Sequence, residues 1–279
     1  MRNFFVILII VLALGTAFFI KRDQAAGTRA DVTDRIDMIE LNIDSSDTTI
    51  IAEKRDDVKA ELDGKGTLSV QQAGDTIEVE VKRKWYQWFS FFGESDVTVY
   101  IPKDYERHLD LNIGAGNLTF SGASESKPMK LDRVNIDMSS GHVKLANLET
   151  TEFEYDASSG KLTIDSLKTK ESSFDISSGD VKLTNYVGPI EGELSSGDMH
   201  VEMEKLVGDV RFDLSSGSVK LDLPDKADFT LKGEASSGDI SCEFPLKNQK
   251  VDDGNISGKH GSGKYKIDVS VSSGDVDIY

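Results

Sequence analysis

The chain has 279 residues, of which 38% are hydrophobic and 29% are charged, so its composition is that of a folded protein with one large domain or two ordinary ones. Its net charge of −17 argues against binding to nucleic acid and against electrostatic binding to anionic lipid, because both need clustered lysine and arginine. Cys242 is the single cysteine, which excludes an intramolecular disulfide.

An uninterrupted apolar run, residues 4–20, lies at the N-terminus. Its length is near the lower limit of the roughly 17 to 25 residues that cross a bilayer as a helix. We therefore predict a membrane anchor over residues 1–22, a single transmembrane helix that contacts the lipid bilayer through residues 4–20. A signal peptide cleaved near residues 15–17 is the alternative. Basic residues flank the run on both sides, so charge alone does not determine its orientation.

The segment after the anchor changes from polar to strand-like. Residues 23–34 are small and polar and are predicted to be a tether. Residues 35–106 are predicted to be an irregular β-rich part that forms the first coils or a cap of the repeats that follow. Within this part, IELNIDSSDTTII at residues 39–51 resembles a degenerate repeat, and DTIEVEV and SDVTVYIP alternate as strands do.

Residues 82–95 interrupt this pattern with a basic and aromatic composition, and they contain both tryptophans of the chain. Basic residues beside tryptophan and phenylalanine are typical of a membrane interface or of a protein-binding patch. A hydrophobic plug over the open end of the β-core is an equally good interpretation. The predicted partner or membrane patch comprises Lys82, Arg83, Lys84, Trp85, Tyr86, Trp88, Phe89, Phe91 and Phe92.

A Ser-Ser-Gly phrase recurs through residues 107–279, most often 18 to 21 residues apart. Repeated copies indicate architecture, whereas a catalytic motif needs one copy. The spacing before the last copy is close to two units, and a degenerate unit around residues 261–264 is expected to fill it. The glycines of the phrase are Gly141, Gly160, Gly179, Gly197, Gly217, Gly238 and Gly274, and Gly116 is a Gly-Ala-Gly variant.

Apolar residues alternate with polar residues on both sides of each phrase, which predicts two half-buried strands per unit. The near-constant spacing favours an all-β fold, a right-handed β-helix-like solenoid of Ser-Ser-Gly-centred repeats. An antiparallel β-sandwich of hairpins is the alternative. In a hairpin Asp137 would face Lys144 and Asp175 would face Lys182, and opposite charges stabilise such pairs.

An acidic residue lies four residues before six of the seven Ser-Ser-Gly glycines, and a solenoid would stack these carboxylates in one outward row. Hard cations such as calcium prefer oxygen ligands, so the row is a candidate cation site. The plainer interpretation is a solvated acidic face whose repulsion is screened by salt. The row comprises Asp137, Asp156, Asp175, Glu193, Asp213 and Glu234.

The second serine of each phrase falls on the inward parity, so we expect hydroxyls that satisfy buried polar groups and not nucleophiles. The four histidines show no metal-ligand spacing. We therefore predict no cofactor and no catalytic residue. The serines concerned are Ser140, Ser159, Ser178, Ser196, Ser216, Ser237 and Ser273.

The sequence resembles the bacterial “putative adhesin” family of unknown function and, within it, the LiaG-like membrane proteins of Gram-positive bacteria. The resemblance rests on the short N-terminal anchor, the phrase DVTVYIPKD at residues 96–104, and the serial units over residues 116–279. It implies a β-helix-like domain outside a cell membrane that the chain crosses once. It also implies an association with the response to cell-envelope stress.

These observations favour a non-enzymatic, membrane-anchored interaction or accessory module. We expect its partner to be an envelope component or a regulatory membrane protein, and we expect no nucleic acid. A cation-dependent adhesin or wall-polymer binding module is the alternative. A polysaccharide-active enzyme is more remote, because it would need acids clustered outside the repeat, and here the acids follow it.

Overall fold

The computed structural model of the protein describes residues 27–82 and 95–279, which form strands, turns and bends and no helix. None of these residues belongs to a helix that could cross a membrane. The predicted anchor, residues 4–20, lies outside the described residues. The strands are β1 (Arg29–Asp31), β2 (Met38–Ser45), β3 (Asp47–Glu53), β4 (Asp57–Asp63), β5 (Thr67–Ala73), β6 (Thr76–Lys82), β7 (Asp96–Pro102), β8 (His108–Ala115), β9 (Asn117–Ser121), β10 (Met129–Met138), β11 (His142–Ala157), β12 (Lys161–Ile176), β13 (Asp180–Val187), β14 (Ile190–Leu194), β15 (Asp198–Lys205), β16 (Val210–Leu214), β17 (Ser218–Asp222), β18 (Phe229–Cys242), β19 (Lys247–Asp252), β20 (Asn255–His260) and β21 (Tyr265–Ile278).

The repeats form a parallel β-solenoid, as the constant spacing predicted. Each coil has a first arm before the Ser-Ser-Gly corner and a second arm after it, and each arm pairs with the same arm of the next coil. In the first arm Asp137 lies opposite Asp156, and in the second arm Lys144 lies opposite Thr163. The hairpin alternative is therefore wrong for the repeats, because Asp137 and Lys144 each pair with the neighbouring coil.

The corner glycines stack directly on one another with φ between +105° and +154°. A Cβ atom built on Gly160 would lie 2.7 Å from the carbonyl oxygen of Gly141, and a Cβ on Gly179 would overlap the carbonyl oxygen of Gly160. The corner thus needs glycine for two reasons: the left-handed backbone and the close approach of the coil below. This explains why the phrase varies so little along the chain.

The inward positions of both arms form one continuous core, because alternate residues of a strand point to the same side. The column two residues after the glycine includes Val143, Leu162 and Val181, all buried. Aromatic rings also pack in this core: the ring centroids of Phe153 and Phe174 are 5.7 Å apart. A short third side joins the arms, where Leu148 and Leu167 lie in register.

The last coils are not stacked in chain order. β21 lies between β16 and β17 on one side and β18 on the other, so the final unit of the sequence is inserted before the Gly238 unit. Ala235, Ile240 and Cys242 of that unit are consequently only partly buried, because it forms the end of the stack.

The degenerate coil predicted around residues 261–264 is absent from the described stack. β19 and β20 instead form an antiparallel hairpin that pairs with β18. The carboxylate of Asp228 accepts hydrogen bonds from Ser262 Oγ and from the backbone N–H groups of Gly263 and Lys264. These bonds hold the pKa of Asp228 at about 2 and fix the turn that returns the chain into the stack.

The N-terminal part belongs to the same stack. β2 pairs with β8 and β3 with β9, all parallel, so the degenerate repeat at residues 39–51 is a true coil. No break in pairing separates residues 35–106 from 107–279. β6 and β7 form the outermost coil, and β5, β4 and β1 pair antiparallel at that end, as expected of a cap.

Part of the predicted tether is folded. β1 pairs with β4, and the N–H of Val70 donates to the carbonyl of Gly27. The carboxylate of Asp57 is buried and binds Arg29 and Arg55, which pins β1 to the cap. Residues 27–34 therefore belong to the body, and residues 23–26 lie outside the described residues.

Candidate functional site

The outer side of the first-arm sheet carries the predicted acidic row. Asp137, Asp156, Asp175, Glu193 and Asp213 lie in register on five successive strands. Neighbouring strands are about 4.8 Å apart, so the row is an unbroken line of carboxylates about 19 Å long. Because β21 is inserted, Ser270 lies between Asp213 and Glu234 and separates the last predicted member from the rest.

The row borders a shallow groove of about 440 Å³ beside the corners. Its walls are carboxylates, amides and the first serines of the corners, so it offers mainly oxygen atoms. Asn112 donates a hydrogen bond of 3.0 Å to Asn42, which in turn donates to Glu40 at 2.9 Å. The lining includes Asn42, Asp44, Asn112, Asp137, Ser139, Asp156, Ser158, Asp175 and Ser177.

The carboxylates of the row differ in their partners. Asp213 binds Arg211 at 2.8 Å and Glu234 binds Lys232 at 2.9 Å, in each case two residues away on the same strand. In the described residues, Asp156 and Asp175 have no such cation. Burial, and then the charges of neighbouring carboxylates including Asp137 and Asp175, raise the pKa of Asp156. The centre of the row is therefore a site of uncompensated negative charge.

The carboxylates form a line and do not converge on one point. Among the described residues, no group of three or more histidine, cysteine, aspartate or glutamate side chains is placed to hold a metal ion. The histidines have separate local partners. His108 lies between Asp37 and Asp132, His142 contacts Thr163, and His200 contacts Glu202. The arrangement suits contact with an extended partner better than capture of a single ion.

The corner serines are not buried, so the expectation of inward hydroxyls is wrong. Ser140 is partly exposed, and the other six predicted serines are exposed. The alternation of inward and outward side chains in the first arm ends at the corner, because the strand ends there and the glycine has a positive φ. The buried hydroxyls of the core lie elsewhere, for example at Ser172 and Thr169.

The predicted aromatic patch lies outside the described residues, apart from Lys82. Lys82 forms an ion pair with Glu80, which raises its pKa through a hydrogen bond. Ser95, at the other end of the segment, is buried, and its hydroxyl donates to the carbonyl of Lys65 at 2.9 Å. Val81 pairs with Ile43 and Asp96 with Asp47, so Lys82 and Ser95 lie where β6 ends and β7 begins in the outermost coil. Sequence analysis recognised the segment by composition but could not place its two ends in the stack.

The chain matches a known protein family over most of its length. The sequence pattern of the family described as Toastrack DUF4097 matches residues 36–279. No curated protein sequence matches the chain. A crystal structure of a “putative adhesin” from Parabacteroides distasonis is 10% identical with a TM-score of 0.43, covering 90% of this chain and 95% of that one. A crystal structure of a “putative cell adhesion protein” from Clostridium sporogenes is 11% identical with a TM-score of 0.26, covering 90% and 96%.

Proposed function

The chain belongs to the Toastrack DUF4097 family, and from this premise we propose that it is a non-enzymatic interaction module. Residues 4–20 hold it in the cell membrane, and its solenoid lies on the outer side. The acidic row and groove contact an envelope component or a regulatory membrane protein, within the cell's response to envelope stress. The resemblance to LiaG-like proteins supports the location and the stress response, and the acidic face supports the mode of contact.

One observation carries the proposal: Gly27, which follows the predicted anchor in the sequence, lies at the same end of the solenoid as Lys82 and Ser95, which flank the aromatic segment. Gly27 contacts Val70 of the cap, while Lys82 and Ser95 lie where β6 ends and β7 begins in the outermost coil. The stretch between residues 20 and 27 spans at most about 25 Å. An anchor in the bilayer would therefore keep this end of the solenoid near the membrane surface.

The composition of the aromatic segment matches that location. Tryptophan, tyrosine and basic residues are enriched where protein meets the headgroup region, because their rings are apolar and their polar atoms stay hydrated. We propose that the patch from Lys82 to Phe92 contacts the membrane interface or a membrane protein beside the anchor. The C-terminal coils would then extend away from the bilayer.

Protease treatment of intact protoplasts tests the topology, using a copy with a C-terminal tag. We expect the protease to digest the tag without lysis. A tag that survives until the cells are lysed would place the solenoid inside the cell and overturn the proposal.

Tryptophan fluorescence tests the membrane contact, because Trp85 and Trp88 are the only tryptophans and both lie in the patch. We expect brominated phospholipids to quench the emission of the full chain reconstituted in vesicles. A control with bromine atoms only near the bilayer centre should quench less. Emission that is unchanged by either lipid would contradict interfacial contact.

A cation-dependent adhesin or wall-polymer binding module is a second candidate, favoured by the uncompensated carboxylates at the centre of the row. Calcium would relieve their repulsion and stabilise the fold by mass action. We would expect calcium to raise the melting temperature of the wild type at constant ionic strength and to have less effect on a chain with Asp156→Asn and Asp175→Asn. An equal shift in both chains would remove the row as the site.

A further inference from the structure

The second arm of the last coil is a free strand edge. β18 pairs with β21 along its whole length, but on its other side it pairs with β20 only over residues 229–233. For residues 238–242, the described part of the chain supplies no strand on that side. The hairpin of β19 and β20 therefore covers the first arm of the last coil and leaves the second arm uncovered.

The backbone groups of this edge point to the free side. The N–H of Glu243 donates to the carbonyl of Ile278 in β21 at 2.9 Å. Successive residues of a strand in a parallel sheet direct their backbone groups to opposite neighbours. Ile240 and Cys242, one and three positions before Glu243, therefore direct their N–H and C=O groups away from β21. These groups are placed to bond to one more parallel or antiparallel strand.

The inward side chains of this edge are also incompletely covered. In the coil below, Val276 is fully buried two residues after the corner glycine, whereas the equivalent Ile240 is only partly buried. Cys242 is partly buried as well. The hairpin forms one wall beside them, because Ile256 and Ile240 both approach Gly233, at 2.8 and 3.0 Å from a Cβ built there. Apolar side chains of an added strand would complete this layer of the core.

The edge lacks the residues that commonly block strand addition. Exposed edges are usually protected by lysine, by proline or by a bulge. β19, the outer strand of the neighbouring hairpin, carries Lys247 and Lys250. Residues 238–242 read Gly-Asp-Ile-Ser-Cys and contain neither lysine nor proline. An extended segment can therefore pair with them, which is a common way for a sheet edge to bind a peptide.

The outer side of this edge is acidic. Asp239 lies directly opposite Asp275, and Ser241 donates a hydrogen bond of 2.8 Å to Asp277. Lys220 lies opposite Asp277 on the far side of β21, so it is two strands, about 10 Å, from the edge. Like charges on neighbouring strands destabilise a sheet, and opposite charges stabilise it. The edge therefore favours a strand whose outward residues are basic.

The repeats contain a strand of this kind beside an aspartate. Lys161 lies opposite Asp180, which occupies the same position of its coil as Asp239. On the inward side of the same strand, Leu162 and Ile164 are fully buried. Alternating basic and apolar residues are thus a combination that this stack already accommodates in a second arm.

We propose that residues 238–242 bind an extended segment of another protein in which apolar and basic residues alternate, and that this segment adds as the next second arm of the stack. The site goes beyond the function proposed above. It lies at the end of the stack opposite the cap and on a different arm from the acidic row, and it does not require membrane attachment.

A fluorescent synthetic peptide that copies residues 158–164, Ser-Ser-Gly-Lys-Leu-Thr-Ile, tests the proposal against the full chain in a neutral detergent. Fluorescence anisotropy measures the binding. In the stack, the N–H of Lys161 donates to the coil below, to the carbonyl of Gly141 at 2.9 Å. The copies of Lys161 and Thr163 should therefore direct their amides at the edge, while the copies of Leu162 and Ile164 direct theirs away.

We expect saturable binding of this peptide with a Kd below about 1 mM. N-methylation of the lysine and threonine amides should weaken binding by about tenfold or more, because two backbone hydrogen bonds are lost. N-methylation of the leucine and isoleucine amides is the matched control, with the same added methyl groups, and should change binding by no more than about threefold.

A charge exchange tests the position of the peptide. Asp239→Lys should weaken binding by about fivefold, and a peptide with aspartate in place of its lysine should regain most of that loss. Asp252→Lys makes the same change of charge on the edge of the hairpin, and it should bind within about twofold of the wild type. Both side chains are exposed, so equal melting temperatures are expected.

Three results would overturn the proposal. The first is no binding at peptide concentrations up to about 1 mM. The second is an equal effect of the two N-methylated pairs, which would mean that the peptide does not bind as a strand; this comparison uses only the wild-type protein and needs no variant to fold. The third is an equal loss in Asp239→Lys and Asp252→Lys, which would reflect net charge alone.

Discussion

Ser172 is a polar residue in a column that is otherwise almost entirely apolar, and its partner explains it. Its hydroxyl lies 2.8 Å from the hydroxyl of Tyr186, and the carbonyl oxygen of Pro189 lies 2.9 Å from the first and 2.6 Å from the second. Each hydroxyl has one proton, so one of them donates to the carbonyl of Pro189 while the other donates within the same group of three oxygen atoms. Both side chains are buried. Each hydroxyl therefore has a partner inside the core, which a buried polar group needs.

The Tyr186→Phe variant should lose about 1 to 2 kcal/mol of unfolding free energy, because the hydroxyl of Ser172 and the carbonyl of Pro189 lose one partner in a buried site. Urea unfolding of the two chains measures the difference.

Tyr155→Phe is the matched control for this change. Tyr155 is equally buried, but in the described structure its hydroxyl makes no hydrogen bond, and burial alone raises its pKa. Removing the hydroxyl of Tyr155 should change the free energy of unfolding by less than about 0.5 kcal/mol. Equal costs for the two variants would mean that the network around Ser172 contributes nothing.

At the scale of the element, the corner is the feature that the repeat preserves. Gly179→Ala should destabilise the protein by about 3 kcal/mol or more, or prevent folding, because a Cβ would overlap the carbonyl oxygen of Gly160 and occupy a left-handed conformation. Thermal unfolding followed by circular dichroism measures the loss.

Gly74 separates the two causes. It also has a positive φ, +69°, but nothing lies within 4 Å of a Cβ built there. Gly74→Ala should therefore cost only about 1 to 2 kcal/mol, the strain of the conformation. If Gly179→Ala is no worse than Gly74→Ala, close stacking of the corners is not what requires glycine.

The acidic row is an element whose charge opposes folding. Asp156 lies between two carboxylates without a cation, and its pKa is raised. Asp156→Asn should therefore stabilise the protein at neutral pH by about 0.2 to 1 kcal/mol, a modest gain because solvent screens the exposed groups. Melting temperatures at low and high salt measure it, and the gain should shrink with salt.

The pH dependence follows from the direction of the shift. A carboxyl group with a raised pKa in the folded state destabilises the fold when ionised, and this cost disappears as the pH falls through that pKa. The advantage of Asp156→Asn should therefore vanish in acid. Asp213→Asn is the control, because Asp213 binds Arg211, and it should give no gain. A gain at Asp213 equal to that at Asp156 would show that net charge, not the row, is the cause.

At the scale of the whole molecule, local periodicity predicted the coil but not the order of the coils. The alternating columns and the spacing were sufficient for the solenoid and for the first five members of the acidic row, because both depend on register between similar neighbours. The insertion of β21 depends on contacts between distant segments, such as Asp228 with the turn at Gly263, and no repeat encodes these. The exposed serines were missed for a local reason, since strand parity does not continue through a glycine corner.

The inserted C-terminal strand gives a prediction for the whole stack. β21 pairs with a neighbouring strand on both sides. Its backbone hydrogen bonds continue as far as Tyr279: the N–H of Tyr279 donates to the carbonyl of Leu221, and the N–H of Leu223 donates to the carbonyl of Tyr279. The last strand of the sequence is therefore a central strand of the sheet. Its amide hydrogens should exchange as slowly as those of β12, because both open only when the stack opens.

Hydrogen exchange followed by mass spectrometry measures this, and β19 is the internal control. β19 is an edge strand whose six residues are all exposed, so its amides should exchange fastest among the C-terminal strands. Slow exchange in β12 with fast exchange in β21 would mean that the C-terminal strand detaches by itself, as a terminal edge strand does. Slow exchange in both would show that the C-terminal strand opens only together with the rest of the stack, as a central strand does.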